Sequence, residues 1–129
     1  MAINKREMKS SHPEESVPGA CRILSIVVPV FNEQEVLPDF HARLAPVLDA
    51  LDMESEVIYV NDGSRDGTCT VLMDLRKRDS RVGVLELSRN FGKEIAMTAG
   101  LEHSRGGAVV IIDADLQDPP ELIPELVRH

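Results

Sequence analysis

At 129 residues, 43% hydrophobic and 28% charged, the chain has room for one globular domain and not for two. Aromatic residues make up 3%, with no tryptophan, so any core has to be aliphatic. A net charge of −8 without a basic stripe argues against nucleic acid, because Lys and Arg contacts to phosphate supply most of that affinity; a phosphate-bearing small molecule would bring a divalent cation with it.

The first twenty residues carry Lys5, Arg6, Glu7, Lys9, Glu14 and Glu15 and no apolar stretch, so residues 1–22 read as a polar, disordered tail and not as a signal peptide. The domain is expected over 23–129. No run reaches the roughly 18–20 apolar residues that span a bilayer. Cys21 and Cys69 lie in no CxxC and read as two reduced thiols.

After the tail comes the first expected strand, Ile23–Val30 (ILSIVVPV). Val36, Leu37, Phe40, Leu44, Val47, Leu48 and Leu51 then fall on one helical face, with Pro38 in the first turn, where its missing N–H costs little. Glu56–Val60 (EVIYV) is the second strand. Asp66 is a plausible N-cap for a helix carrying Val71, Leu72 and Leu75. Val82–Leu87 (VGVLEL) is the third strand, and a helix follows over about Gly92 to Ser104, with Gly106-Gly107 past its end. Ala108–Ile112 (AVVII) is the fourth strand, and Pro119-Pro120 opens a last helix. The first and last strands show little alternation, as expected of strands buried on both faces.

Strands alternating with helices call for an α/β fold, a parallel Rossmann-like sheet with helices on both faces and right-handed crossovers. If the first three strands run outward from the first, the fourth lies on its other side. Ligands in such sheets bind beyond the carboxyl ends where strand order reverses. That crevice is flanked by Phe31-Asn32-Glu33 and Asp113-Ala114-Asp115.

In an extended segment Asp113 and Asp115 point to the same side, and unpaired they would repel. A hard divalent cation removes the conflict, and Gln117 repeats the spacing with a neutral oxygen. The plainer alternative is solvated loop acids, with Asp118 capping the helix at Pro119; position at the end of a buried run favours the metal. Asn61-Asp62-Gly63-Ser64 reads equally as a tight strand-to-helix turn or as a place where Asp62 accepts hydrogen bonds from a base or ribose. Lys93, near a helix start, could meet a phosphate, but by itself it reads more simply as a solvated cation beside Glu94. Glu33 suits the first turn of a helix. His12, His41, His103 and His129 show no ligand spacing and read as surface residues, while Ile95 and Met97 read as core. The chain lacks GxGxxG after its first strand, GxxxxGK[ST], and the glycine an EF-hand loop requires.

Taken together and in this order, VVPVFNE, VNDGSRDGT, SRNFGKEIAMTAGL and DADLQDPPE resemble the family 2 glycosyltransferases of GT-A fold. The likeness is greatest to the polyprenyl-phosphate glycosyltransferases, which include dolichol-phosphate mannosyltransferase, and runs from Ile23 to the end. It implies that Pro29, Phe31 and Glu33 line a nucleotide pocket and that Asp62 contacts the base. Asp113 and Asp115 would hold Mg²⁺ or Mn²⁺ against the diphosphate, with Gln117 as a further ligand. Lys93 and Ala114 are counted with the nucleotide-sugar contacts, and Arg89 is left open.

The implied reaction is metal-assisted, inverting transfer of a hexose from a UDP- or GDP-sugar to a polyprenyl (undecaprenyl or dolichyl) phosphate. The resemblance also implies an acceptor site in a second half beyond His129, so the chain reads as the N-terminal part of a cytoplasmic enzyme working at the cytoplasmic face of the membrane. Alternatives are transfer to a polysaccharide hydroxyl, a Mg²⁺-dependent phosphatase of haloacid-dehalogenase type, and a non-catalytic nucleotide-binding module. The phosphatase pattern wants Thr or Val where this chain has Gln117.

Overall fold

The Val- and Ile-rich runs pair as expected. In the computed structural model, which describes residues 2–4, 23–114 and 119–127, β2 (Ile23–Val30), β3 (Glu54–Asn61), β4 (Val82–Glu86) and β5 (Ala108–Ile111) form parallel ladders. A three-residue strand, β1 (Ala2–Asn4), pairs antiparallel with β5, giving the order β1-β5-β2-β3-β4. Chain direction therefore reverses its walk across the sheet between β2 and β5, as the sequence suggests. β1 falls within the stretch read as a polar tail; three residues are too few to carry an alternation signal.

Both faces of the sheet are covered, which is why its central strands show no alternation. On one face Leu24, Ile26, Val28 and Val30 join Val57, Tyr59, Val110 and Ile112. They pack on Leu37, Phe40, Leu44 and Leu48 of α1 (Leu37–Ala50) and on Leu72 and Leu75 of α2 (Thr68–Arg78). The other face buries Val27, Ile58, Val60, Val109 and Ile111 under Ala96 of α3 (Lys93–His103). Each large aliphatic side chain buried this way contributes about 1.5–3 kcal/mol. Pro120–Leu122 forms a 3₁₀ turn leading into α4 (Ile123–Val127), whose Ile123 reaches the first core.

α3 approaches the sheet closely through Gly100, where an added methyl group would overlap Val27 and stand 3.0 Å from Val60 Cγ2. Ala96 and Gly100, four residues apart, face the sheet, and Met97 packs beside them as expected. Ile95 does not: it lies one step around the helix from Ala96 and is 51% exposed. α2 begins at Thr68 with Gly67 in the capping position, one residue later than expected; Asp66 Oδ1 accepts from the Thr68 N–H at 2.9 Å from one position further out.

His41 is not a surface residue. It sits four residues after Leu37 on the buried stripe of α1, 7% exposed. Its ring nitrogens are both engaged: Nδ1 is hydrogen-bonded with the buried Tyr59 hydroxyl (2.6 Å) and Nε2 with Asp79 Oδ2 (3.0 Å). Arg81 donates from Nε to Asp79 Oδ1 (2.9 Å) and from Nη2 to Oδ2 (3.0 Å). These partners come from distant parts of the chain, so spacing along it carries no trace of them. His103 is exposed, and His12 and His129 lie outside the described residues. Cys69 is a free thiol, and Cys21 also lies outside them. Among the described residues no helix is long and apolar enough to cross a membrane.

Candidate functional site

The loops that follow β2, β3, β4 and β5 gather at the carboxyl edge of the sheet, and the ladder shows how it opens there. Val27 C=O accepts from Ile112 N on the β5 side (3.0 Å), and Val30 C=O accepts from Asp62 N on the β3 side (2.9 Å). By this alternation the nitrogen of Pro29 faces β5, just past the last β2–β5 pair, Val27↔Ile111. With no N–H to donate, Pro29 ends that ladder and lets the two strands part. Pro29 is itself buried and acts on the crevice through the backbone.

The loop after β2 is lashed to the loop after β3. Asn32, in the left-handed region at φ 51°, donates its N–H to Ser64 Oγ (2.9 Å) and accepts from Arg65 N at Oδ1 (2.8 Å). Glu33 N donates to Thr68 Oγ1 (3.0 Å), and Gly67 N donates to Gln34 Oε1 (2.8 Å). The Glu33 carbonyl accepts from Val36 and Leu37 at the entry to α1.

Asp62 ties the loop after β3 to the loop after β4. It is 4% exposed, and its two oxygens accept the backbone N–H groups of Phe91 (2.8 Å) and Gly92 (3.0 Å). The two loops approach so closely that a side chain at Gly63, whose φ is +69°, would overlap the backbone of Arg89 and Asn90. The Asp-Gly pair is thus a turn signal and a docking device together.

At the first turn of α3, Lys93 Nζ meets Asp113 Oδ2 at 2.5 Å, joining α3 to the segment after β5. Lys93 is largely exposed, Asp113 is a quarter exposed and Ala114 is buried. Asp115, Gln117 and Asp118 lie outside the described residues. Among the described residues no group of three or more His, Cys, Asp or Glu is placed to hold a metal ion.

Beside these contacts lies a groove of about 670 Å³, lined by Phe31, Asn61, Arg65, Cys69, Glu86 and Arg89 among others. Phe31 is 42% exposed there, and the Arg89 guanidinium lies 4.7 Å from the centre of the Phe91 ring. Of the residues singled out from sequence, Phe31 lines the groove, Asp62 braces its wall, and Lys93 and Asp113 come together. Glu86 was missed; the signal was a carboxylate inside the apolar run VGVLEL, one residue before its end.

A doubly wound parallel sheet with its polar loops at one edge, one strand returning to the far side of the first, is the GT-A arrangement. The chain belongs to the family described as glycosyl transferase family 2, whose profile matches residues 25–129. An uncharacterized glycosyltransferase of Synechocystis is 53% identical over 104 residues, 81% of this chain and 33% of that protein. The bactoprenol glucosyl transferase of Shigella phage SfV is 46% identical over 105 residues, 81% of this chain and 34% of that one. A mannosyltransferase of Pyrobaculum calidifontis, solved with GDP-Man and Mn²⁺, superposes with a TM-score of 0.63 at 22% identity, covering 86% of this chain and 33% of that one. The chain spans about a third of the length of the curated relatives it matches.

Proposed function

We propose that the chain forms the donor-binding part of an enzyme that transfers a hexose, with inversion, from a UDP- or GDP-linked sugar to a polyprenyl phosphate. The observation that carries this reading is the position of Asp113, beside the crevice opened at Pro29 and with a cation, Lys93 Nζ, already drawn to it. The bactoprenol name of the phage relative supports a polyprenyl acceptor. A lipid acceptor in turn favours work at the cytoplasmic face of a membrane.

Carboxylate and amide oxygens suit Mg²⁺ or Mn²⁺, so Asp113, with Asp115 and Gln117 close in sequence, would hold the ion. When bound, it supplies Lewis-acid stabilisation of the charge that builds on the departing diphosphate. Lys93 is long and exposed enough to turn from Asp113 toward a phosphate, adding a second positive charge at the leaving group. Phe31 offers an exposed ring face, and Asp62 holds in place the loop that launches α3. The nucleophile is a phosphate oxygen, already anionic near neutral pH, so the attack on the anomeric carbon needs no strong general base. The bond to the nucleoside diphosphate breaks as the new one forms.

Calorimetric titration of UDP and GDP, with and without Mn²⁺, tests the donor site in the wild-type chain and in Asp113→Asn and Asp115→Ala. The expected result is Mn²⁺-dependent binding of one nucleotide, weakened at least about tenfold in both variants. Folded proteins that bind neither nucleotide in any condition would refute the reading.

A further inference from the structure

The groove contains an acceptor that no described residue uses up. Asn61 and Glu86 are the last register pair of β3 and β4, so their side chains leave the sheet together. Cys69 Sγ, in the first turn of α2, donates to Glu86 Oε1 (2.8 Å), and Asn61 Nδ2 approaches the same oxygen at 3.5 Å. Glu86 Oε2 receives no hydrogen bond from any described residue, and the side chain is exposed. Among the described residues lining the groove, Glu86 is the sole acid. Asp62, by contrast, is buried with both oxygens engaged, and Asn61 Oδ1 accepts from Ser64 N (3.2 Å). The same groove presents the exposed ring of Phe31, a flat apolar surface on which a planar heterocycle can stack, and the cations Arg65 and Arg89.

We propose that Glu86 reads the nucleotide's base, selecting one that carries a ring N–H beside a carbonyl, uracil or guanine, over cytosine and adenine. This rests on the donor-site reading above. A carboxylate is an acceptor only. The ring N–H of uracil or guanine meets Oε2 as a donor. In the same pose the corresponding ring nitrogen of cytosine or adenine is unprotonated and sets one lone pair against another; their amino groups reach Oε2 only if the base shifts on the Phe31 ring, so the fit that suits uracil or guanine is lost as water is excluded. A site built around one hydrogen bond of this kind rejects the analogue that cannot make it far better than an apolar pocket rejects a change of size.

The test is a titration panel of UDP, GDP, CDP, ADP and inorganic pyrophosphate, each with Mg²⁺, on the full chain and on Glu86→Gln. Circular dichroism and thermal midpoints establish that the variant is folded; the substitution keeps the side-chain length and an oxygen for the Cys69 contact. In the wild type, UDP or GDP is expected to bind at least about tenfold more tightly than CDP and ADP. Glutamine offers a donor as well as an acceptor, so in the variant that preference should shrink severalfold while pyrophosphate affinity holds. Equal wild-type affinities for all four nucleotides, or an undiminished preference in the variant, would overturn the role of Glu86 and leave the donor site standing. A wild type that binds no nucleotide would overturn both.

Discussion

Asp62 shows how much a single buried carboxylate can organise. It accepts two backbone N–H groups at the start of α3, so Asp62→Asn would turn an NH₂ toward one of them. The expected cost is about 1–3 kcal/mol for the unmatched donor, read as a lower urea midpoint, with hydrogen exchange rising first at Phe91 and Gly92. Asp79 is a second such case. Burial pushes its carboxyl up, but the Arg81 guanidinium, the Arg81 backbone N–H and His41 outweigh it and bring the value from 3.8 down to about 2. A depressed carboxylate contributes stability that is fully present above its unfolded value and lost as pH falls through the folded one. The window therefore runs from about pH 4 down to about pH 2, and the amount is on the order of 2 kcal/mol. Urea denaturation at stepped pH should show this loss in the wild type and a flatter acid limb in Asp79→Asn. Burial likewise acts to raise Glu56, but the Ser25 hydroxyl and Arg105 hold it below its ordinary range, so it weakens the fold in acid in the same direction.

Apart from β1, the strands and helices were legible from sequence, most of them to within a residue or two, because their signals are local. Val36 to Leu51 carries the helical period of α1, and the prolines and glycines punctuate it. What was not legible was which residue of an apolar patch lands on the sheet. Ile95 and Met97 look alike in the sequence, yet α3 docks through Ala96 and Gly100, placing Met97 against the core and leaving Ile95 exposed. Gly100 has no distinctive local signal, since its role is to admit Val27 and Val60. Gly100→Leu should lift α3 from the sheet and cost on the order of 3 kcal/mol or more, measured as a fall in thermal midpoint. Because α3 carries Lys93, the same variant should weaken any Mn²⁺-dependent nucleotide binding.

For the molecule as a whole, sheet order decides both the position of the site and the exposure of its edges. Inserting β5 on the far side of β2 creates the crevice, and β1 then covers what would be the outer edge of β5. Deleting residues 1–22 removes β1 and leaves the unpaired groups of β5 as a template for another strand. Increased self-association is expected, visible by sedimentation velocity against the full chain at equal concentration. An unchanged sedimentation coefficient would show that β1 does not protect this edge.

Sequence alone determined the alternation of strand and helix, the parallel sheet and the loops that carry polar groups, because periodicity and turn chemistry are properties of neighbours along the chain. The pairing of Lys93 with Asp113, the engagement of Asp62 by Phe91 and Gly92, the burial of His41 and the place of Glu86 in the groove were decided only by tertiary structure. Each depends on which distant segment arrives beside it. Hydrogen bonds and ion pairs act over a few ångströms of space, whatever the number of residues between the partners.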